Sequence, residues 1–150
     1  MFSTFASLLR SPALEAACAE HPEAMIVDLS QNDSGDDLKE CCQCEQCRAI
    51  AQQFGGQSGL ILWFVNQVAD AVKEKFPDRY VGTFAYRFSR KPPVGITPRE
   101  NVVVRLCSIE CCFLHSFVEG CCEKNKTFYE ELQQWASIAP HLYIWDYVVT

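Results

Sequence analysis

The chain has 150 residues, a length that suits one domain with a substantial core. Its formal net charge of −6 argues against a nucleic acid or an anionic membrane as partner, because such partners select a dense cationic surface. The longest apolar run, Leu60 to Val65, is far below the ~20 residues of a membrane span, and residues 1–10 lack the basic start of a signal peptide.

A helix and a strand are predicted first along the chain. Ser11 and Pro12 form a helix start, and Ala13 to Glu20 continue the helix. The apolar stretch Ala24 to Leu29 predicts a buried strand, which ends in the four polar residues 30–33. Because a buried strand that ends in polar side chains usually delivers them to a site, this segment is the first functional candidate.

Two helices are predicted after an acidic, cysteine-rich loop. Residues Gln46 to Phe54 form a short helix that Gly55 and Gly56 end. Ser58 is the predicted cap of the next helix, which runs from about Leu60 to Phe76 and has apolar residues at spacings of three and four. The two helices separate the first strand from the second.

The second half of the chain alternates strands with loops and one helix. The predicted strands are Tyr80 to Tyr86, Asn101 to Leu106 and Leu142 to Tyr147. Residues Cys107 to Lys124 lack periodicity and predict a long loop, and Asn125 is the predicted cap of the last helix. Strands that alternate with helices predict an α/β fold with a mainly parallel sheet and right-handed crossovers.

Three carboxylates follow the predicted strands at their carboxyl ends, where parallel α/β folds place their sites. They are Asp33, Glu110 and Asp146. Glycoside hydrolysis typically needs two carboxyl groups, so Asp33 or Glu110 is the predicted general acid and Asp146 the nucleophile or base. The competing interpretation gives Asp33 a role in capping a loop and Asp146 a role in a structural hydrogen-bond network.

The same edge supplies a set of predicted substrate-binding side chains: Ser30, Asn32, Tyr86, Arg105, His115, Trp145 and Tyr147. Aromatic rings suit sugars, because the C–H faces of a sugar stack on π surfaces, although a core role explains each ring equally well. His115 is also explained as an ordinary loop histidine. The basic loop from Arg87 to Arg99 could bind a carboxylated or sulfated ligand, or it is a solvated loop.

The ten cysteines are clustered, and the spacing Cys42-x-Cys44-x-x-Cys47 can place three thiolates around one zinc ion. A fourth ligand would come from the second half of the chain: Cys111, Cys112, Cys122 or His115. Disulfides and reduced thiols are the alternatives, and the choice depends on a cellular compartment that the sequence leaves undetermined. A catalytic cysteine is not predicted, because no activating base lies nearby in sequence.

Several motifs together, among them DLSQND, CCQCEQC, NVVVRLCSIECCFLH and LYIWDYV, resemble the bacterial family called domain of unknown function 4838. The resemblance covers about residues 11–149 and implies a (β/α)8 barrel similar to glycoside hydrolases, in the style of α-glucuronidases and hexosaminidases. Ser30, Asn32, Asp33, Tyr86, Glu110, His115 and Asp146 fall on matching motif positions. Cys42, Cys44, Cys47, Cys111 and Cys122 match the cysteine pattern of the family, whereas Cys41, Cys112 and Cys121 exceed it.

A complete barrel takes about 250 residues, and four of its eight strands are readable in this sequence. We therefore expect residues 1–150 to form one partial barrel of about four parallel strands with helices, from a longer enzyme or a shortened relative. The predicted function is a glycoside-hydrolase-like domain that acts on or binds a glycan, with no catalytic cofactor. The alternatives are a non-catalytic carbohydrate-binding or interaction module, stabilised by a cysteine-bound metal such as structural zinc or by disulfides, and an inactive fragment.

Overall fold

The computed structural model of the chain describes residue 16 and residues 18–33, 41–118 and 122–147. Four strands, three α-helices and one short 3₁₀ helix lie wholly within these ranges. In chain order they are β1 (Ile26–Asp28), α1 (Glu45–Gln53), α2 (Gln57–Lys75), β2 (Tyr80–Ala85), a 3₁₀ helix (Arg87–Ser89), β3 (Val102–Cys107), α3 (Glu123–Ile138) and β4 (His141–Trp145).

The four strands form one sheet in the order β1-β2-β3-β4, and every neighbouring pair is parallel. The predicted α/β class is therefore confirmed, and the sequential strand order is consistent with part of a (β/α)8 barrel. The connection from β2 to β3, all of which the structure describes, contains only the short 3₁₀ helix. All four carboxyl ends lie at one edge of the sheet, because the strands run in one direction.

One face of the sheet packs against α2 and α3 and forms the core. Alternate residues of β2 and β3 point to this face, and Val81, Val102, Val104 and Leu106 are fully buried there. They pack with apolar side chains of the two helices, chiefly Leu62, Val65, Val72, Phe128 and Trp135. Burial of each such side chain contributes about 1.5–3 kcal/mol to folding.

The opposite face of the sheet carries no helix among the residues that the structure describes. Ile26 is 47% exposed, Tyr143 is 41% exposed and Trp145 is 44% exposed. The strand register places them opposite residues of β2 and β3 that alternate with the buried ones, so they share the second face. We call this surface the open face.

The structure differs from the sequence-based expectation at β1. The stretch Ala24 to Leu29 was expected to be a buried strand, but only Ile26–Asp28 pair with β2, and two of these three residues are exposed. The reason is its position at the edge of the sheet, where the described part of the chain supplies one neighbouring strand and no cover for the open face. The apolar composition of the stretch therefore indicates that a strand forms there, but it does not indicate that the strand is buried.

Both predicted helix caps are also wrong. Ser58 lies inside α2, whose N-cap is Gly56, and Asn125 lies inside α3, whose N-cap is Cys122. Asn125 is instead buried, and its amide holds the preceding loop. Of the first predicted helix, residues 16 and 18–20 are helical and the remaining positions lie outside the described residues, as do residues 34–40.

None of the helices described has both the length and the apolar character that a bilayer crossing requires.

Candidate functional site

The turn after β2 fixes Tyr86 at the carboxyl edge of the sheet. The buried Ser89 hydroxyl accepts the backbone N–H of Tyr86 at 3.2 Å and also contacts the side-chain oxygen of Gln31. The amide nitrogen of Gln31 donates to the carbonyl of Tyr86 at 3.3 Å. Together these bonds tie the segment after β1 to the end of β2.

Arg87, next to this tyrosine, has a left-handed backbone with φ of 50°. A residue with a side chain adopts this region at a cost of about 1–2 kcal/mol, and such residues cluster at functional sites. Its guanidinium carbon lies 5.1 Å from the centre of the Tyr86 ring, which is within the range of a cation–π contact. The strained position therefore places a cation beside the aromatic ring.

Asp33 meets Tyr86 at this edge. The phenol of Tyr86 donates a hydrogen bond to Oδ1 of Asp33 at 3.1 Å. Burial raises the pKa of Tyr86, and the hydrogen bond to Asp33 raises that pKa further, because a carboxylate stabilises the protonated phenol. The phenol thus remains a hydrogen-bond donor at neutral pH.

A cavity of about 170 Å³ opens beside this pair. Its lining residues come from the ends of all four strands and the segments after them: Gln31, Asp33, Phe84, Tyr86, Cys107, Trp145 and Tyr147. The rings of Phe84 and Trp145 meet edge to face with centroids 5.8 Å apart, and the ring of Phe84 lies 6.1 Å from that of Tyr86. The cavity is therefore an aromatic pocket with one carboxylate.

Two further polar groups of this cavity stay protonated at neutral pH. Burial raises the pKa of the Cys107 thiol to about 11. Burial is also the main cause that raises the pKa of Tyr147 to about 12, and the contact with Cys107 adds to it. Both groups therefore offer neutral donors rather than charges.

Glu110 lies elsewhere. Its carboxylate forms an ion pair with Arg90, whose Nε also bonds Glu131 at 2.5 Å. The backbone carbonyl of Arg90 accepts the indole N–H of Trp135 at 2.7 Å. Burial lowers the pKa of Arg90, but its two carboxylate partners outweigh burial and raise the pKa.

A second cavity, of about 370 Å³, contains Glu110 and lies beside the start of α3, where Glu123, Lys124 and Thr127 line it. Asp33 does not line that cavity, and Glu110 does not line the aromatic one. The two carboxylates therefore belong to different cavities.

Asp146 has its own partners. Its Oδ1 accepts the hydroxyl of the buried Ser108 at 2.6 Å and the backbone N–H of Tyr147 at 2.9 Å. Its neighbours in sequence, Trp145 and Tyr147, line the aromatic cavity, but the carboxylate of Asp146 is not among the lining groups. The three predicted carboxylates share an edge of the sheet, but they do not share one cavity.

Ser30 and Arg105 form a second cluster, on the open face. Arg105 reaches from β3 to an ion pair with Asp28 of β1, and its Nη2 bonds the hydroxyl of Ser30 at 2.5 Å. Gly82 of β2 lies between them, and a Cβ at this position would lie 3.6 Å from Nη2 of Arg105. The guanidinium lies 4.2 Å from the centre of the Phe84 ring, which lines the aromatic cavity.

The other predicted site residues are more distant. Asn32 is exposed beside Asp33, and Nδ1 of His115 contacts Cys112 Sγ at 3.1 Å in the loop after β3. In the basic loop, Arg99 pairs with Asp70 and Arg90 pairs with the two glutamates, so these arginines stabilise the fold. The sequence analysis included Gln31 only as part of the segment 30–33, and it did not single out Phe84, Ser89, Cys107 or Ser108. The alternation of β2 could have identified Phe84, which is two residues before Tyr86 on the same face.

Three of the predicted metal ligands are gathered near the start of α1. The sulfur atoms of Cys42, Cys44 and Cys47 all lie within 4.8 Å of one another, and all three are free thiols. We call this group the thiol cluster. Cys111 and Cys122 are not members of the group, although the sequence predicted them as ligands: Cys111 is buried after β3 and Cys122 precedes α3.

The thiol cluster is organised by the helix itself. Cys44 is the N-cap of α1, and its sulfur accepts the backbone N–H of Cys47 at 3.4 Å. This backbone bond is the main cause that lowers the pKa of Cys44, whereas burial raises the pKa of Cys47 to about 12. Three sulfur atoms at this separation could hold a metal ion.

Comparison with known proteins supplies one finding. The model of the family described as "Domain of unknown function (DUF4838)" matches residues 5–150. No curated protein and no solved structure matches the chain.

Proposed function

The chain belongs to the DUF4838 family, and on that premise we propose that the aromatic cavity at the carboxyl edge of its sheet binds a glycan. The observation that carries the proposal is the composition of the cavity: four aromatic side chains, a carboxylate and an amide surround a space of about 170 Å³. Aromatic faces stack on the C–H faces of a sugar, and polar groups at the rim bond its hydroxyls.

Each polar group of the cavity has a role in this proposal. Asp33 accepts hydrogen bonds from sugar hydroxyls, and its orientation is fixed by the Tyr86 phenol. Gln31 offers an amide, and Tyr147 offers a phenol that stays protonated. The ring of Trp145, which is partly exposed, provides a stacking surface at the open face.

Hydrolysis of a glycosidic bond is the catalytic form of this proposal. Asp33 would act as general acid and Asp146 as nucleophile or base, since two carboxyl groups are needed. Asp146 would have to exchange its bond with Ser108 for one with water or the sugar, and Glu110, the alternative acid, would have to leave Arg90. In the non-catalytic form, the same cavity binds a glycan and releases no product.

Binding is tested by titration calorimetry with oligosaccharides, using the wild-type chain and the variants Asp33→Asn and Tyr86→Phe. Tyr86→Phe removes the donor of the hydrogen bond between these two residues and Asp33→Asn removes the charge of its acceptor, so we expect affinity to fall about tenfold, which corresponds to ~1.4 kcal/mol. Glu100→Gln is the matched control, because its side chain is 90% exposed and pairs with Lys73 at the surface. Equal affinity of all four proteins would contradict the proposed site.

Catalysis is tested on the same proteins by the release of reducing ends. If Asp146 is the nucleophile or base, Asp146→Asn should keep the affinity for oligosaccharide but lose at least about 100-fold in turnover. Binding without any release by the wild-type chain would identify a non-catalytic module.

The thiol cluster supports a second proposed role, a structural zinc site. Zinc prefers thiolate sulfur, and a metal would balance the negative charge of three adjacent thiolates. Cys44 both ligates and caps α1 in this proposal, so the metal would fix the start of that helix.

The zinc proposal is tested by metal analysis of protein purified without chelator, and by the absorption bands of a cobalt-substituted sample. We expect about one equivalent of zinc in the wild type and in Cys112→Ser, whose residue lies outside the cluster. Cys44→Ser should lose the metal and the cobalt–thiolate absorption band. A wild-type chain whose cluster thiols titrate as free, with no bound metal, would contradict this role.

A further inference from the structure

The charge of the aromatic cavity defines the class of sugar that it accepts. Resting on the proposed function, we infer that the cavity takes one neutral or amino-bearing sugar residue and discriminates against sugars that carry a carboxylate or a sulfate. Two features define this selectivity: the charge of the groups that line the cavity, and the positions of the arginines around it.

Among the residues described, the lining contains one carboxylate, that of Asp33, and no cationic side chain. The remaining polar lining groups are an amide, two phenols and a thiol. The raised pKa values of Tyr86, Tyr147 and Cys107 mean that these three groups carry no charge at neutral pH. The net charge of the lining is therefore −1, in a chain whose formal charge is −6.

The cations nearest to the cavity in sequence or space are held by other groups. Arg90 is bound by Glu110 and Glu131, and its side chain is largely buried. The guanidinium of Arg105 lies 4.2 Å from the centre of the Phe84 ring and 6.0 Å from that of Trp145, and it forms an ion pair with Asp28. Arg90 would have to break an ion pair to meet an anionic sugar, and Nη2 of Arg105 is already bound by Asp28 and Ser30.

Arg87 is the remaining cation of this edge. Its guanidinium contacts the Tyr86 ring but does not line the cavity. Asp33 belongs to the lining and Arg87 does not, so a sugar inside the cavity would contact the Asp33 carboxylate directly. An ammonium group on the sugar would gain a charge-assisted bond to Asp33, whereas a carboxylate would be repelled by it.

The size of the cavity limits how much of a glycan it holds. Its volume of about 170 Å³ is below the ~300–1,000 Å³ of pockets that enclose a drug-sized ligand. One pyranose ring is a suitable occupant, and neighbouring residues of a chain would extend over the open face, where Trp145 and Tyr143 are exposed. The discrimination between neutral and acidic sugars therefore applies to the one sugar unit that lies in the cavity.

The test is an array of immobilised oligosaccharides of four kinds: neutral, amino-bearing, uronate-bearing and sulfated. The array is read at low salt, because salt screens exposed charges. We expect neutral and amino-bearing glycans to be retained at least tenfold more strongly than their uronate-bearing counterparts. In Asp33→Asn this ratio should fall toward one, and in the control Glu100→Gln it should be unchanged.

The possible results separate the inference from the proposed function. Preference for uronate-bearing or sulfated glycans would overturn the inference but leave glycan binding intact, and an Arg87→Gln variant that lost this preference would identify the cation responsible. Retention of neutral and acidic glycans to the same extent would also overturn it. Failure to retain any glycan of the array would overturn the proposed function and the inference together.

Discussion

At the scale of single residues, Asn125 shows how one buried amide can organise a loop. It is fully buried in the first turn of α3. Its Oδ1 accepts the backbone N–H of Cys112 at 2.7 Å, and its Nδ2 donates to the carbonyls of Cys112 and His115, both at 2.9 Å. The loop after β3 is therefore attached to α3 through a side chain rather than through a sheet or helix.

We expect Asn125→Ala to lower the free energy of unfolding by about 2–4 kcal/mol, because it leaves several buried backbone groups without partners. Thr127→Ala is the control, since Thr127 is half-buried and the hydrogen bond of its hydroxyl goes to the carbonyl of Glu123 in the same helix. That change should cost less than about 0.5 kcal/mol. Urea unfolding of both variants checks the prediction, and similar losses in the two would contradict it.

The roles of particular residues also explain how far sequence reasoning reaches. The position of Asp33, Tyr86, Trp145 and Tyr147 at one cavity follows from strand ends, which periodicity reveals. The ion pair between Glu110 and Arg90 and the bond between Asp146 and Ser108 join residues 20 and 38 positions apart. Periodicity carries no information about such pairings, so the separation of the three carboxylates could not be predicted.

At the scale of elements, strand and helix positions were predictable within a few residues, because their apolar periods are regular. The caps were not, since Ser58 and Asn125 have residue types that suit a cap but are buried for tertiary reasons. The edge position of β1 was also unpredictable, because it depends on the order of the strands in the sheet. The type and length of an element depend on the local sequence. The order of the strands in the sheet and the capping of the helices depend on contacts between residues that are distant in sequence.

The junction of α1 and α2 gives a test at this scale. A Cβ added to Gly59 would lie 2.3 Å from Cβ of Phe54 and 2.5 Å from its carbonyl oxygen, which accepts the N–H of Val94. Glycine to alanine inside a helix usually stabilises a protein by about 1 kcal/mol. Here we expect Gly59→Ala to destabilise it by about 1–3 kcal/mol, because the turn between the helices must open.

Gln52→Ala in α1 is the matched control for this change, since Gln52 is exposed in a helix. Its effect on the urea midpoint should be close to zero or slightly stabilising. A Gly59→Ala variant at least as stable as the wild type would show that Phe54 moves without cost.

At the scale of the whole molecule, the described elements share one hydrophobic cluster that joins α2, β2, β3 and α3. Trp135 belongs to this cluster, and its indole N–H bonds the carbonyl of Arg90 from the connection after β2. Elements that share one core are expected to unfold together. The near-ultraviolet circular dichroism of Trp135 should therefore disappear in the same thermal transition as the helical signal.

The open face has a calorimetric consequence. Ile26, Tyr143 and Trp145 are already hydrated in the folded chain, so unfolding brings less new apolar surface into contact with water. The heat-capacity increment of unfolding should therefore be lower than the usual ~12–15 cal/mol/K per residue, and Tyr143→Ser should leave it nearly unchanged. Scanning calorimetry measures this increment, and a small value would make the stability of the chain depend less steeply on temperature than that of a protein whose sheet is covered on both sides.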